Sequence, residues 1–279
     1  MSTGYLRLAH LEFHGGAREG WGFSGLDDWL SLTAAKSTGS PRPTAHGSFD
    51  PGRPWRESAA FSVKVHYLGS TQEEAVLALR ELTALGAYTT LIEATADVGD
   101  GRMTRQVQVA NIDIPDTHGS DTVEATVYML APDPFAYGAE IVQTVGVPVA
   151  GEGVASPLID PFQEVGGGNP GRVTVTNAGS APTTVRIDIA GGVEGVQVQV
   201  VETGEVLRFD RLIPDGAVVQ FDSRTGRATL DGQSDVTGFM VYDDWPQIPP
   251  QATRTFQFTP LGAVTGAPTM TVRTAPAYF

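Results

Sequence analysis

A mainly β fold in two halves, the first carrying a single helix, follows from three observations. Short alternating apolar runs recur along the chain, separated by turn residues; Gly (33) and Pro (19) are numerous yet below the level of a disordered chain. One segment, Ser70 to Leu85, has a helical period. A proline-rich joint, Leu130-Ala131-Pro132-Asp133-Pro134-Phe135-Ala136-Tyr137, ends strand pairing between the halves because proline lacks a backbone donor and restricts the residue before it. The predicted domains are 1–137, a connecting arm over 138–165 with some strand around Val142, Val145, Val147 and Val149, and a β-sandwich over 166–279 with an extended tail. At 41% hydrophobic residues, both domains can hold a core.

In chain order, Gly4 to Phe13 alternates weakly and predicts a first strand, followed by a loop at His14–Gly20. Trp21, Phe23, Leu26, Trp29, Leu30 and Leu32 are large and apolar but show no clear period. Lys36 to Arg56 is rich in breakers, and a loop of that length in a compact domain is commonly functional or disordered. Ala59–Leu68 alternates cleanly, with Phe61, Val63, Val65 and Tyr67 on one face. Thr71 and Glu74 have capping-box spacing; Val76, Leu79, Leu82 and Leu85, with Ala75 and Ala78, predict the buried stripe, and Gly86 a left-handed C-terminal cap. Strands follow at Thr89–Thr95, Met103–Ile114 and Val123–Met129. Past the arm, short strands are predicted at Val173–Thr176, Thr183–Ile189, Val196–Val201, Val206–Phe209, Val218–Asp222, Arg227–Leu230, Phe239–Tyr242 and Thr253–Thr259, a spacing that suits a sandwich. The Pro/Gly/Ala-rich tail after Leu261 reads as an extended arm. Open strand edges in such units need cover, and are expected to bury against identical copies.

The chain has no cysteine, which removes disulfides and thiolate metal sites. The N-terminus lacks the pattern of a secretory leader, and no apolar run approaches the ~20 residues that span a bilayer. Net charge is −14, divided equally about Tyr137, so neither half reads as a nucleic-acid-binding module; the excess suits solubility, or a surface past which nucleic acid moves without sticking. The Gly166–Gly171 run lacks the Lys-Ser/Thr ending of a phosphate loop. His10, His14, His46, His66 and His118 are scattered, and no hydrolase serine elbow is present. Asp243-Asp244-Trp245 is the one carboxylate pair beside an aromatic. Neighbouring strand residues point to opposite faces, so the pair suits a glycan- or partner-binding surface better than hydrolysis. No catalytic, cofactor or metal residues are predicted.

Taken in order, these features resemble the distal tail proteins of long-tailed, non-contractile phages (the Dit family). The resemblance runs through Leu11-Glu12-Phe13-His14-Gly15, the loop holding His46-Gly47, Arg56, the Phe61–Tyr67 strand, the helix capped at Thr71, and the Asp133-Pro134-Phe135 exit. It continues through Val173–Gly179, Thr184–Ile187, Val219–Gly226 and Trp245–Pro250, and departs over 138–165 and in the final tail. The resemblance implies a tail-tube-like N-terminal domain and a galectin- or carbohydrate-module-like sandwich. It also implies a homohexameric ring joining the tail-tube protein to the tail-tip protein around the DNA channel, in a virion assembled in a bacterial cytoplasm. Host cell-wall glycan is a further partner; specific nucleic-acid binding and membrane insertion are not expected. Pro41, Pro43, His46, Gly47, Pro51, Arg53 and Trp55 are the candidate inter-subunit loop. A carbohydrate-binding tail adhesin and a tail-tube subunit are the alternative readings.

Overall fold

The computed structural model describes residues 4–36, 39–50, 52, 55–99, 101–115, 121–150 and 168–279. The fold is mainly β. Its contacts divide it into two compact units, Met1–Gly138 with Tyr278–Phe279, and Ala139–Ala277.

In the first unit, strands β1 (Tyr5–Leu8), β2 (Leu11–Gly15), β3 (Gly20–Asp27) and β4 (Ala59–Leu68) precede helix α1 (Gln72–Ala84). Strands β5 (Ile92–Asp97), β6 (Arg102–Asp113), β7 (Thr122–Ala131) and the short β8 (Ala136–Tyr137) follow it. The predicted first strand is therefore a hairpin. Leu8 faces Leu11 across a two-residue turn whose Ala9 adopts φ 52°, and the Ala9 N–H donates to Glu93 O at 3.0 Å. A left-handed alanine is an uncommon turn residue, which hid the turn from a reading by composition. The missing period around Trp21–Leu26 also has a cause: the β3–β4 register shifts between Phe23 and Gly25, and a bulge reverses the facing of every later side chain.

Strand β6 decides the architecture. Its first half pairs with β5, from Arg102↔Asp97 to Val107↔Ile92, and its second half pairs with β7, from Gln108↔Leu130 to Asp113↔Thr126. Since β7 also pairs along its length with β4, the seven long strands close into a barrel. The expectation of open edges awaiting identical copies is corrected for this unit, because closure pairs those edges within the chain. Leu6, Leu8, Phe13, Val63, Val107 and Val127 fill the interior.

Helix α1 begins as its capping residues dictate. Glu74 N donates to Thr71 Oγ1 at 3.2 Å, and Glu74 Oε2 accepts from Ser70 N at 2.8 Å. The buried stripe is Ala75, Ala78, Leu82 and Leu85, which packs the helix against β4 and β7; Val76 is exposed. The small alanines let the helix approach the sheet; all four buried residues belong to the predicted stripe, of which Leu79 is only partly buried. Gly86 is not left-handed: the helix tightens into a 3₁₀ turn over Leu85–Ala87.

The second unit is a sandwich. One sheet orders β10 (Arg172–Asn177), β20 (Ala252–Pro260), β13 (Val193–Val200), β14 (Val206–Ile213) and β18 (Met240–Asp243). The other orders β17 (Ser234–Asp235), β16 (Arg227–Leu230), β15 (Val218–Asp222), β12 (Arg186–Ala190), β21 (Thr269–Thr274) and β9 (Ile141–Gly146). A separate pair joins β11 (Thr183–Thr184) to β19 (Gln247–Ile248). Ile187, Ile189, Val196, Phe221, Phe256, Phe258 and Met270 form the core between the sheets.

The connecting arm holds strand, as its valines predict, and the tail expected to be an extended arm is partly sheet as well. Within 138–165, Ile141–Gly146 is an edge strand whose Ile141 and Val145 pack on the sandwich core; residues 151–165 lie outside the described residues. In the tail, β21 pairs with both β9 and β12. There the alternation of Met270, Val272 and Thr274 outweighs the Pro/Gly/Ala composition that suggested an extended arm. The chain then returns to the first unit, where β22 (Ala277–Tyr278) neighbours β8 and Phe279 meets Phe135 edge-on at 5.4 Å between ring centroids.

Candidate functional site

The breaker-rich stretch after Leu32 is a two-stranded arm. At its base Lys36 N donates to Trp55 O (2.8 Å) and Glu57 N to Ala34 O (2.9 Å), while Arg56 Nη1 donates to Thr33 O (3.0 Å). Further out Phe49 N donates to Ser40 O (2.9 Å) and Arg42 N to Gly47 O (3.0 Å), and the Arg42 guanidinium lies 5.7 Å from the Phe49 ring centroid. Every residue from 40 to 50 is exposed, so the arm is held by its own backbone bonds and not by packing on the barrel. Pro41, Pro43, His46, Gly47 and Trp55 of the predicted loop lie on this arm; Pro51 and Arg53 lie outside the described residues.

Two properties set the arm apart. Phe49 (55% exposed) and Trp55 (63%) offer large apolar faces to solvent, as do Leu30 and Leu32 leading into it. In sequence, Lys36, Arg42, Arg53 and Arg56 stand against Asp50 and Glu57 over residues 33–57, a net charge of +2, whereas residues 1–137 as a whole are −7 with 10 basic and 17 acidic side chains. The rest of that domain is therefore −9 (−7 less +2). A cationic, apolar arm on an acidic body is complementary to a second acidic body of the same kind.

Behind the arm, the segment that enters it is tied to the domain exit by a residue that motif reading missed. Arg105 donates through Nη2 to Trp29 O and through Nη1 to Pro134 O, both at 2.9 Å, and its guanidinium lies 5.0 Å from the Trp29 ring centroid. It is 2% exposed; burial lowers its pKa, while the nearby Asp133 carboxylate opposes that shift. Asp133 in turn accepts from Phe135 N (3.1 Å) and Tyr137 OH (2.8 Å), which explains the Asp-Pro-aromatic order of the joint. A signal was present in the sequence: Met103, Arg105 and Val107 share one face of a strand, and an arginine in that inward series must find internal acceptors.

The predicted surface at Asp243, Asp244 and Trp245 is not one open platform. Asp243 ends β18 and is exposed, whereas Asp244 accepts from Val206 N at 3.2 Å and its own N–H donates to Val206 O at 3.1 Å. Trp245 is partly buried against the sandwich core, with its indole beside Gly226. Among the described residues no three His, Asp or Glu side chains gather as metal ligands.

No protein-family profile matches the sequence, and no curated protein matches it by sequence. The backbone has clear counterparts nonetheless. Dit (gp 19.1) of phage SPP1, described as a paradigm of the hub adsorption apparatus in phages infecting Gram-positive hosts, superposes with a TM-score of 0.69 at 13% identity over 100% of both chains. The fold is Dit-like. Baseplate structures of phage p2 in the activated conformation, with Ca and with Sr, match with TM-scores of 0.53 and 0.51 at 10% and 9% identity, each covering 98% of both chains. The Dit-like match spans barrel and sandwich together, so each half has its counterpart in the same neighbour.

Proposed function

We propose that this chain is a structural virion protein forming a homohexameric ring at the distal end of a long, non-contractile phage tail. In this reading the ring joins the tail-tube protein to the tail-tip and adhesion apparatus and surrounds the DNA channel. The observation that carries it is the solvent-exposed, cationic, apolar arm on a closed acidic barrel. An arm whose residues 40–50 are all exposed, and which opposes its own body in charge, fits a neighbouring copy. The Dit-like fold over the full chain supports a hub over a plain tail-tube subunit, since the sandwich would be superfluous in a tube. The acidic excess suits a channel wall, because anionic surfaces offer DNA phosphates no counter-charge.

Sedimentation velocity of the full chain tests this. A hexamer is expected at low ionic strength, weakening as salt screens the arm's charges. Replacing residues 40–50 by a short Gly-Ser link should yield folded monomer. A monomer at every concentration and salt tested, with and without the tail-tube protein, overturns the reading, and long tubes would favour the tail-tube subunit.

A second reading is that the sandwich of the same protein binds host cell-wall glycan, favoured by a hollow lined by Glu194, Arg208, Asp210 and Leu261.

A further inference from the structure

The five-stranded sheet of the sandwich carries a hollow of about 390 Å3 on its outer surface, lined by Glu194, Gly195, Arg208, Asp210, Leu261 and Gly262. That volume lies in the range of small-ligand sites. Its shape comes from a bulge. The β13–β14 register shifts between Glu194 and Val196, and Gly195 takes φ +73°, so the ladder opens there. The chain after β20 folds back to form the opposite wall. Leu261 N donates to Gly195 O (3.0 Å), Glu194 N to Ala263 O (2.9 Å) and Thr265 N to Gly192 O (2.8 Å). The walls are so close that a Cβ at Gly262 would lie 2.8 Å from Glu194 O. Backbone bonds on both sides make the hollow preformed, which spares a ligand the entropy of ordering it.

Its chemistry is mixed. Arg208 donates through Nε and Nη2 to the two oxygens of Asp210 (2.8 and 3.1 Å), which holds the guanidinium plane in one orientation and leaves its Nη1 as a donor. Glu194 and Asp210 present acceptors, and Leu261, 38% exposed, supplies an apolar wall. Tyr242 pairs directly across the strands with Arg208, so its ring, 53% exposed, extends the same face. Donors, acceptors, an apolar wall and an aromatic face on one open, preformed surface match a sugar ring, which has hydroxyls at its rim and C–H groups on its faces. The charged lining sums to −1, which disfavours phosphate, sulfate and uronate groups.

We propose that this hollow is a binding site for a neutral oligosaccharide, with Arg208 and Glu194 bonding hydroxyls and Tyr242 stacking on a ring. The inference relocates glycan recognition from Asp243, Asp244 and Trp245 to the neighbouring sheet face. It rests on the tail-tip reading only for the source of the glycan, a host cell wall. The test is titration of the full-length protein, by saturation-transfer NMR and calorimetry, with glucose-, galactose- and N-acetylglucosamine-based oligosaccharides and with a polyglycerol-phosphate polymer. Saturable binding to at least one neutral series and none to the polyglycerol phosphate is expected. Arg208→Ala and Glu194→Gln should each weaken it by roughly tenfold, as expected for losing one charged hydrogen bond, and Trp245→Phe should leave it unchanged. Retained far-UV circular dichroism establishes that each variant is folded. The proposal fails if no neutral series binds, if the polyglycerol phosphate binds as well, or if both hollow variants bind like the parent. A hexamer that binds no sugar would sink this proposal and leave the hub reading standing.

Discussion

The two units solve the same problem, how to finish a β-sheet, in different ways. The barrel uses one long strand twice: β6 pairs with β5 through its first half and with β7 through its second, so the sheet has no free side in the barrel wall. The sandwich leaves sheet ends and blunts them. At one end β17 is only two residues, Ser234–Asp235, and β18 only four. At the other, β9 adds a strand alongside β21, with exposed Gln143 and Thr144 among its residues. The lesson concerns where association can occur. A closed barrel cannot recruit a neighbour by adding a strand to its wall, so the proposed contact between copies falls to an appendage, the arm that carries Phe49 and Trp55. The site proposed on the sandwich lies on a sheet face instead.

The sharpest challenge to this contrast is Arg105, whose loss should damage the barrel alone. Arg105→Met leaves the carbonyls of Trp29 and Pro134 without their buried donor, at a cost of about 3 kcal/mol. Calorimetry should show the barrel transition shifted down and the sandwich transition unmoved; equal shifts in both would mean the units do not fold as separate cores. Gly179→Ala is the mirror experiment. A Cβ there would lie 1.9 Å from Ala277 O, beside buried Asn177, which donates to Ala181 O (2.8 Å) and Ile248 O (3.1 Å) and accepts from Gly179 N (2.9 Å). The sandwich should lose about 2–3 kcal/mol through forced backbone displacement, read as a fall in its denaturant midpoint.

Smaller effects sharpen the picture further. Thr71→Ala removes the acceptor for Glu74 N and should cost the barrel about 1 kcal/mol. Helical circular dichroism should fray at the N-terminus while the β signal holds. The least effect is expected at Glu202 in the sandwich. Partial burial pushes its carboxyl up, yet the Thr255 N–H, at 2.9–3.0 Å from both carboxylate oxygens, brings the net pKa below its ordinary value. A carboxylate depressed by folding stabilises above its unfolded pKa, and that stabilisation is lost as pH falls through the folded value. Sandwich stability should therefore decline modestly on acidification below the ordinary glutamate range, and Glu202→Gln should flatten that decline in a pH series of urea melts.

Much of this organisation was legible in the chain. Val218–Asp222 and Arg227–Leu230 are strands at the predicted bounds, and Thr71 caps the helix, because turn residues and period-2 alternation act within a few neighbours. The candidate site was legible in part. The arm's residues stood out by their prolines, but its charge contrast with the barrel appeared only when the arm was seen to stand apart. The hollow at Glu194 had no motif, since Arg208, Asp210 and Leu261 meet there from strand and loop segments up to 67 residues away from Glu194 (261 less 194).

The sequence by itself determined what short-range physics controls: which runs alternate, where proline ends pairing, where a helix starts, and that the chain is acidic and without cysteine. Tertiary structure alone decided that β6 would serve two neighbours and close a barrel, that a Gly- and Pro-rich tail would supply a central strand, and that Arg105 would bind Trp29 to Pro134. Those outcomes depend on pairings between residues tens to more than a hundred positions apart. Their free energy comes from the partner surface each segment meets, which no local pattern encodes.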